Sequence, residues 1–316
     1  MATKKKTKIT ESTRVVFIGT GLVGSTAAFA TMIQGIASEI VLLDINKKKS
    51  LGEALDLEHG LSFTYPCKIW SGDYRDCKDA DVIVITAGLG QKPGQTRLEL
   101  AGINAKIMTD IMKNISRHTK NAVILIVTNP LDVITYVAIK NSKFPRNRIF
   151  GSGTTLDSSR FRQLLSDQFQ ISPDSMEAYL IGEHGDSSVP VFSHANVMGE
   201  PIQKLPMYKA KAAKNAYKKT KNAAYEIINK KGATYYAIAL GISKIVRSII
   251  FDENKVFPVS TMLTGQHGIK NICLSLPCVV GRNGIKRIID IKLSKEERRQ
   301  LHGSAKIIRN TIDSIK

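Results

Sequence analysis

The sequence predicts an α/β protein in which a doubly wound parallel sheet is followed by a mixed α/β, or α+β, region. Two observations carry this prediction. Up to about residue 150, short runs of valine, isoleucine and leucine alternate with helix-like segments, which is typical of parallel strands joined by helices. These runs are apolar at nearly every position, so both faces of the sheet are expected to be covered. After residue 150, long helices alternate with hairpin-like segments.

The elements of the first half follow one another in a regular order. A glycine-rich turn separates the first apolar run from a helix rich in small residues, and Asn129–Pro130 ends the last run. The predicted elements are a strand at 14–19, a helix at 22–35 and strands at 39–45, 80–88 and 122–130.

The second half mixes long helices with alternating segments. Its last helix is expected to begin at Ser294, where "SKEE" has the spacing of a capping box. The other predicted elements are helices at 155–169, 209–232 and 233–250, hairpin-like segments at 176–182 and 187–199, and strands at 256–263, 272–281 and 285–292.

Composition limits the class of protein. We expect residues 1–13 to form a basic flexible tail, 14–150 a nucleotide-binding domain and 151–316 a catalytic domain.

The apolar runs are too short to span a membrane, and the tail lacks the apolar stretch of a secretory signal. The four cysteines have no metal-ligand spacing, so we predict no metal site and a reducing, cytoplasmic setting with free thiols.

The net charge of +19 raises the alternative of a protein that binds nucleic acid or an acidic partner. The densest basic stretch, 209–232, intersperses its lysines with alanines, as on one exposed face of a helix. It lacks the arginines and interleaved aromatic residues of a single-strand binder. We therefore expect no nucleic-acid partner and no membrane partner.

A dinucleotide site is predicted where "GTGLVG" follows the first strand and opens a helix. Gly19 would form the tight turn, Gly21 would let the main chain approach a pyrophosphate, and Gly24 would let helix and strand pack closely. Free N–H groups at the helix start would face the phosphates. Together these features predict a Rossmann domain.

Asp44 follows the second strand, twenty residues after Gly24, where a carboxylate binds the ribose hydroxyls. A carboxylate repels a 2′-phosphate, so NAD is favoured over NADP as the cofactor. The lysines at 47–49 would weaken that discrimination, and a helix N-cap is the simpler alternative for Asp44.

A second polar group surrounds "GEHGDSSVP", where glycines shape a turn around His184. Asp157 and Arg160 stand three residues apart on one predicted helix face, which by itself would fit an ordinary ion pair. With His184 they suit reduction of a 2-keto acid. Asp157 would favour the protonated imidazole, Arg160 would bind the substrate carboxylate, and His184 would donate a proton to the carbonyl oxygen.

The loop after the 80–88 strand carries Pro93, several glycines and Arg97. Ligands bind at this end of parallel strands, so Arg97 could close over the site and polarise the carbonyl. A solvated arginine at a helix start is the alternative.

These motifs together resemble the lactate/malate dehydrogenase superfamily. The resemblance rests on "GTGLVGS", "VLLDIN", "GEALDLEHG", "TAGLGQKPGQTRLEL", "VTNPLDV", "GSGTTLDSSRFR", "IGEHGDSSVPV", "KGATYYAIA" and "LPCVVGRNG", which run in family order through nearly the whole chain.

The resemblance implies a role for each matching position. His184 would be the acid/base, paired with Asp157, with Arg97 as the mobile-loop arginine. Arg160 would bind the substrate carboxylate. Further substrate contacts would come from Gln91, Asn129 and Thr234. Cofactor contacts would come from Gly19, Gly21, Leu22, Val23, Gly24, Asp44, Thr86, Ala87, Gly88, Val127, Asn129 and Ile238.

Gln91 is the position that indicates the substrate. Malate enzymes of the superfamily carry arginine six residues before the mobile-loop arginine, so the resemblance implies reduction of pyruvate to L-lactate. Oxaloacetate has a second carboxylate that needs a cation when enclosed, whereas a neutral amide tolerates the methyl of pyruvate. Two alternatives remain. Malate dehydrogenase would require Lys92 to pair with the second carboxylate of oxaloacetate, and another L-2-hydroxyacid dehydrogenase would require a roomier pocket at Thr234.

The resemblance also implies a homotetramer, with a dimer as the alternative. Many bacterial relatives are activated by fructose 1,6-bisphosphate through an arginine and a histidine at a subunit interface. Arg162 matches the arginine, but Glu177 occupies the histidine position, seven residues before His184. A carboxylate there should repel a bisphosphate, which argues against this activation.

Overall fold

The computed structural model describes residues 12–90 and 97–315, except for the side chain of Arg97. Within these ranges the largest sheet has nine strands, in the order β14-β13-β12-β6-β5-β4-β1-β2-β3. The six strands of the first half pair in parallel. They are β1 (Arg14–Ile18), β2 (Glu39–Leu43), β3 (Lys68–Ser71), β4 (Val82–Ile85), β5 (Val123–Ile126) and β6 (Ile149–Gly151).

The order 3-2-1-4-5-6 confirms the doubly wound sheet. Its strand order reverses between β1 and β4, and a ligand crevice forms at such a point. Among the described residues, the α-helices of this half are α1 (Leu22–Ile33), α2 (Lys47–His59), α3 (Arg97–His118) and α4 (Leu131–Lys140).

Strand β1 shows why its apolar run has no polar face. Val15 and Phe17 lie in one buried cluster, whereas Val16 and Ile18 lie in another on the opposite face of the sheet. Successive side chains of a strand point to opposite faces. A sheet with helices packed on both faces therefore requires an apolar residue at every position of a central strand.

The second half is the predicted mixed α/β region. Its helices are α5 (Thr155–Ser166), α6 (Ala210–Lys231), α7 (Tyr236–Ile250) and α8 (Lys295–Ser314). Its strands pair antiparallel. They are β7 (Met176–Glu177), β8 (Leu180–Ile181), β9 (Val189–Pro190), β10 (Asn196–Val197), β11 (Glu200–Pro201), β12 (Lys255–Thr264), β13 (Lys270–Gly281) and β14 (Gly284–Ile288).

The large sheet continues across residue 150, because Gly151 of β6 pairs with Ser260 of β12. The two halves thus share one sheet. Strands β3 and β6 were not predicted from the sequence. Strand β3 reads Lys-Ile-Trp-Ser, with polar residues at both ends in place of a continuous apolar run, and β6 has only three residues. Pairing with neighbouring strands makes both of them strands.

The capping box of α8 is present as predicted. The Ser294 hydroxyl accepts the N–H of Glu297 at 3.2 Å, and the Glu297 carboxylate accepts the N–H of Ser294 at 2.8 Å. In the described part of the chain, no helix combines the length and the apolar character needed to cross a membrane.

Candidate active site

The glycine turn between β1 and α1 has the geometry that close packing requires. Gly19 has φ +98°, and a Cβ there would lie 2.5 Å from the Ala87 nitrogen. A Cβ on Gly24 would lie 1.9 Å from the Gly19 oxygen, so only glycine fits at this contact of helix and strand. Beside Gly21, by contrast, a Cβ would meet nothing within 4 Å. The main chain at Gly21 is therefore open to a pyrophosphate, which fits a dinucleotide.

Asp44 binds the same turn. Its Oδ2 accepts the Thr20 N–H at 2.7 Å, and its Oδ1 accepts the Asn46 N–H at 2.9 Å. Burial by itself raises the pKa of Asp44, but these hydrogen bonds lower it below its ordinary value. Asn46, rather than Asp44, caps α2 through the N–H of Lys49. The carboxylate is thus charged beside the glycine turn, where a ribose would bind.

A groove of about 930 Å³ runs along this end of the sheet. The Thr86 hydroxyl donates to the Gly19 carbonyl at 2.8 Å and so ties β4 to the glycine turn. The groove is lined, among others, by Gly19, Gly21, Asp44, Lys47, Lys49, Thr86, Ala87, Gly88 and Leu89. By charge alone, the lysines close to Asp44 would accept either NAD or NADP. The Asp44 carboxylate repels a 2′-phosphate and so favours NAD.

His184 and Asp157 form a close pair. The Nδ1 atom of His184 lies 2.5 Å from Oδ2 of Asp157, and both side chains are largely buried. Burial by itself lowers the pKa of His184, but the charge and hydrogen bond of Asp157 raise it to about 9. Burial likewise opposes the ionisation of Asp157, yet His184 and Arg160 keep its pKa below the ordinary value. The imidazole is therefore protonated at neutral pH, with Nε2 available to a ligand.

Arg160 stands on the same helix, one turn from Asp157. Its Nη1 lies 3.3 Å from Asp157 Oδ1, whereas its Nη2 is buried without a hydrogen-bond partner among the described residues. A buried donor without a partner is costly, so an acceptor from a ligand is expected there. Together with His184, the two side chains line a cavity of about 100 Å³. The arrangement suits a small molecule with a carboxylate and a reducible carbonyl.

Four elements hold the loop that carries His184. Gly182, with φ +88°, pairs with Ser275 of β13 through two main-chain hydrogen bonds of 2.9 Å. The Glu183 N–H donates to the Ser304 hydroxyl of α8 at 2.8 Å. The His184 N–H donates to Oδ2 of Asp132, on α4, at 2.7 Å, and Asp157 of α5 holds the ring. The histidine is therefore fixed by its main chain and by its side chain.

The remaining predicted residues lie around these two regions. Asn129 follows β5, and Thr234 is half-buried between α6 and α7. Arg97 is the first residue of α3, but its side chain lies outside the described residues, as do Gln91, Lys92 and Pro93. Of the predicted cofactor contacts, Leu22 and Val23 begin α1, Val127 follows β5 and Ile238 is half-buried on α7. Of the two positions compared with the bisphosphate site, Arg162 lies on α5 and Glu177 is exposed on β7. The proximity of these side chains to His184 or to the cofactor stays a prediction.

Two polar residues of the site were missed by sequence reasoning. Asn104 of α3 is fully buried and donates to the carbonyls of Leu89, at 3.1 Å, and Asn129, at 2.7 Å. Asp132 is 1% exposed and binds the loop of His184. For Asp132 the available signal was a carboxylate near the start of the apolar helix α4, whereas α3 carries polar residues throughout and does not single out Asn104. In the described part of the chain, no group of three or more His, Cys, Asp or Glu residues could hold a metal ion.

Comparison with family models identifies both halves of the chain. Residues 13–151 match the model described as "lactate/malate dehydrogenase, NAD binding domain". Residues 154–316 match the model "lactate/malate dehydrogenase, alpha/beta C-terminal domain".

Individual relatives agree with the family models. An L-lactate dehydrogenase of Priestia megaterium is 46% identical over 98% of both chains. L-lactate dehydrogenase 1 of Clostridium acetobutylicum is 45% identical over 96% of this chain and 99% of the relative. The crystal structure of the minor L-lactate dehydrogenase from Enterococcus mundtii in its ligand-bound form superposes with a TM-score of 0.94 at 39% identity, covering 96% of this chain and 99% of that one.

Proposed function

The chain belongs to the lactate/malate dehydrogenase family, and from this premise we propose that it catalyses the NADH-dependent, reversible reduction of pyruvate to L-lactate. One observation carries the proposal. His184 is held in its protonated form by Asp157, beside a buried Arg160 nitrogen that has no hydrogen-bond partner in the described part of the chain. This arrangement supplies a proton and a carboxylate anchor in one small cavity.

The groove beside the glycine turn would hold the cofactor. Gly21 presents open main chain for the pyrophosphate, and Asp44 presents a charged carboxylate for the ribose. When bound, NADH supplies the hydride that reduces the carbonyl carbon. Other proposed contacts lie at Gly19, Leu22, Val23, Gly24, Thr86, Ala87, Gly88, Val127, Asn129 and Ile238.

The substrate side relies on three charged groups. Arg160 would bind the carboxylate of pyruvate through a planar pair of N–H donors. Nδ1 of His184 faces Asp157, so Nε2 would donate its proton to the carbonyl oxygen as the carbon is reduced. The imidazole left behind is neutral and would accept the proton when L-lactate is oxidised. Asp157 stabilises the charged ring in both directions.

Further substrate roles are proposed from the family pattern. Arg97 would polarise the carbonyl and exclude water, while Asn129 and Thr234 would line the pocket. Gln91 would face the methyl of pyruvate and disfavour the second carboxylate of oxaloacetate. We also propose that 14–150 is the NAD-binding domain and 151–316 the catalytic domain. Gln91, Arg97 and Asn129 would reach the substrate from the first, and Ile238 would reach the cofactor from the second.

The proposed setting is a cytoplasmic homotetramer, or a dimer. The four cysteines are free, and burial raises the pKa of Cys77 and Cys278 to about 12. These thiols are buried and neutral, which suits a reducing compartment.

The test of the substrate is the initial rate of NADH oxidation with pyruvate and with oxaloacetate, side by side. We expect a strong preference for pyruvate, because Gln91 offers no cation to a second carboxylate. Each reaction is also run with fructose 1,6-bisphosphate, which we expect to leave the rate unchanged because of Glu177. A preference for oxaloacetate would contradict the assignment and indicate malate dehydrogenase. Turnover of larger 2-keto acids alone would indicate another L-2-hydroxyacid dehydrogenase.

The test of the mechanism is His184→Ala. Loss of the proton donor should lower kcat by about 10²- to 10⁴-fold, which is the usual contribution of general acid catalysis. Binding of NADH, followed by its fluorescence, should survive because the groove is separate from the His184 loop. A variant with unchanged turnover would exclude His184 as the proton donor.

A further inference from the structure

Asp132 is a buried carboxylate that the proposed mechanism does not use. It is 1% exposed and lies on α4, three residues after Asn129. One oxygen accepts the Ser260 hydroxyl of β12 at 2.5 Å, and the other accepts the N–H of His184 at 2.7 Å. A single side chain thus connects the first half of the chain to β12 and to the loop of His184.

Burying an ionisable group at this position costs free energy of folding. Both of its hydrogen-bond donors are neutral, and a neutral side chain of similar shape would avoid burying a charge. Burial raises the pKa of Asp132 to about 6, although the bonds from Ser260 and His184 oppose this rise. The group is therefore largely charged at neutral pH, close to the imidazolium of His184.

We propose that Asp132 is a positioning residue, which fixes the main chain of His184 relative to Asn129 and stabilises the charge on its ring. The inference rests on the proposed function. Asn129 itself is held through its carbonyl by Asn104 at 2.7 Å. The segment from Asn129 to Asp132 therefore joins the cofactor side of the site to the loop of the proton donor.

The groups around Asp132 define its electrostatic role. His184 and Glu183 face it from the loop, and Cys273 faces it from β13. Burial raises the pKa of Cys273 well above its ordinary value, so that thiol stays neutral. Asp157 and Asp132 act on His184 together, with Asp157 as the larger influence, while Arg160 opposes both.

Two variants separate geometry from charge. Asp132→Asn keeps an oxygen that can accept the N–H of His184 but removes the charge. Asp132→Ala removes both. Thr135→Val is the matched control, because Thr135 is buried one turn further along α4 and its hydroxyl donates to the Leu131 carbonyl of the same helix.

Three measurements are made on each full-length variant. The first is kcat and KM for pyruvate across pH, with NADH affinity measured separately. The second is the pKa of His184, from NMR of histidine-labelled protein, with its signal assigned by its absence in His184→Gln. The third is the urea midpoint of unfolding.

We expect Asp132→Asn to lower the pKa of His184 and to reduce kcat/KM by about tenfold, with NADH affinity unchanged. Its urea midpoint at pH 8 should equal or exceed that of the parent, because a buried charge is removed. Asp132→Ala should lose about 100-fold in kcat/KM, since the main chain of His184 is also released. A merely structural role would give losses of stability without a change in the pKa of His184.

The inference is overturned if both Asp132 variants match Thr135→Val within twofold in kcat/KM and share its His184 pKa. If the parent protein does not reduce pyruvate, the proposed function fails. The NMR titration still tests the influence of Asp132 on His184 in that case, because it needs no substrate.

Discussion

Asp157 serves two cationic side chains at once. One of its oxygens faces Nδ1 of His184 at 2.5 Å, and the other faces Nη1 of Arg160 at 3.3 Å. This sharing leaves the far nitrogen of the imidazole and one guanidinium nitrogen directed away from the carboxylate. The site therefore offers a proton and an anion-binding group in fixed relative positions before any ligand arrives.

The charge on His184 determines which direction of the reaction each pH favours. Its pKa is about 9, so we expect pyruvate reduction to be constant at neutral pH and to fall as the pH rises through about 9. Lactate oxidation needs the neutral ring and should rise over the same range. The measurement is kcat/KM in both directions from pH 6 to 10. Parallel profiles in the two directions would contradict the assignment.

The element that shapes the cofactor groove is the contact of β1 with α1. Their spacing is so small that a Cβ on Gly24 would lie 1.9 Å from the Gly19 oxygen. Helix α2 offers a contrast, because a Cβ on its Gly52 would meet nothing within 4 Å. Close packing therefore requires glycine at position 24 of α1, whereas it does not require glycine at position 52 of α2.

We expect Gly24→Ala to push α1 away from β1, at a cost of about 1–3 kcal/mol for overpacking, and to weaken NADH binding. Gly52→Ala is the control and should be neutral or slightly stabilising, since alanine is the better helix former. Urea unfolding and NADH titration of both variants are the measurements. Equal behaviour of the two variants would show that the close contact is unimportant.

At the scale of the whole molecule, the buried charges connect stability to pH. The folded-state pKa of His184, about 9, exceeds the ordinary histidine value of 6.5. Its stabilising contribution is therefore complete below about pH 6.5 and is lost as the pH rises through about 9. The contribution of Asp157 to stability has the opposite pH dependence. Because its pKa is lowered in the folded state, that contribution is lost as the pH falls through this pKa.

The free energy of unfolding should accordingly fall between pH 6.5 and 9 by more in the parent protein than in His184→Gln. The difference should reach up to about 3 kcal/mol, from the size of the pKa shift. Urea titrations at several pH values measure it. Identical slopes for the two proteins would mean that folding does not raise the pKa of His184.

Local patterns in the sequence determined much of this protein. Continuous apolar runs specified buried parallel strands, "GTGLVG" specified the turn that Gly19 and Gly24 require, and "SKEE" specified the start of α8. Each of these signals depends on residues close together in the chain. The pairing of Asp157 with Arg160 was foreseen from helical spacing for the same reason.

Other features were decided only by the tertiary structure. Strand β3 has polar ends and no continuous apolar run, β6 has three residues, and their neighbours in the sheet make them strands. Asp132 lies 52 residues from His184 and 128 from Ser260, while Asn104 reaches Asn129 from another helix. Such contacts join distant segments, and no local spacing encodes them. The 2.5 Å contact and raised pKa of His184 likewise arise because the fold buries an acid and a base together.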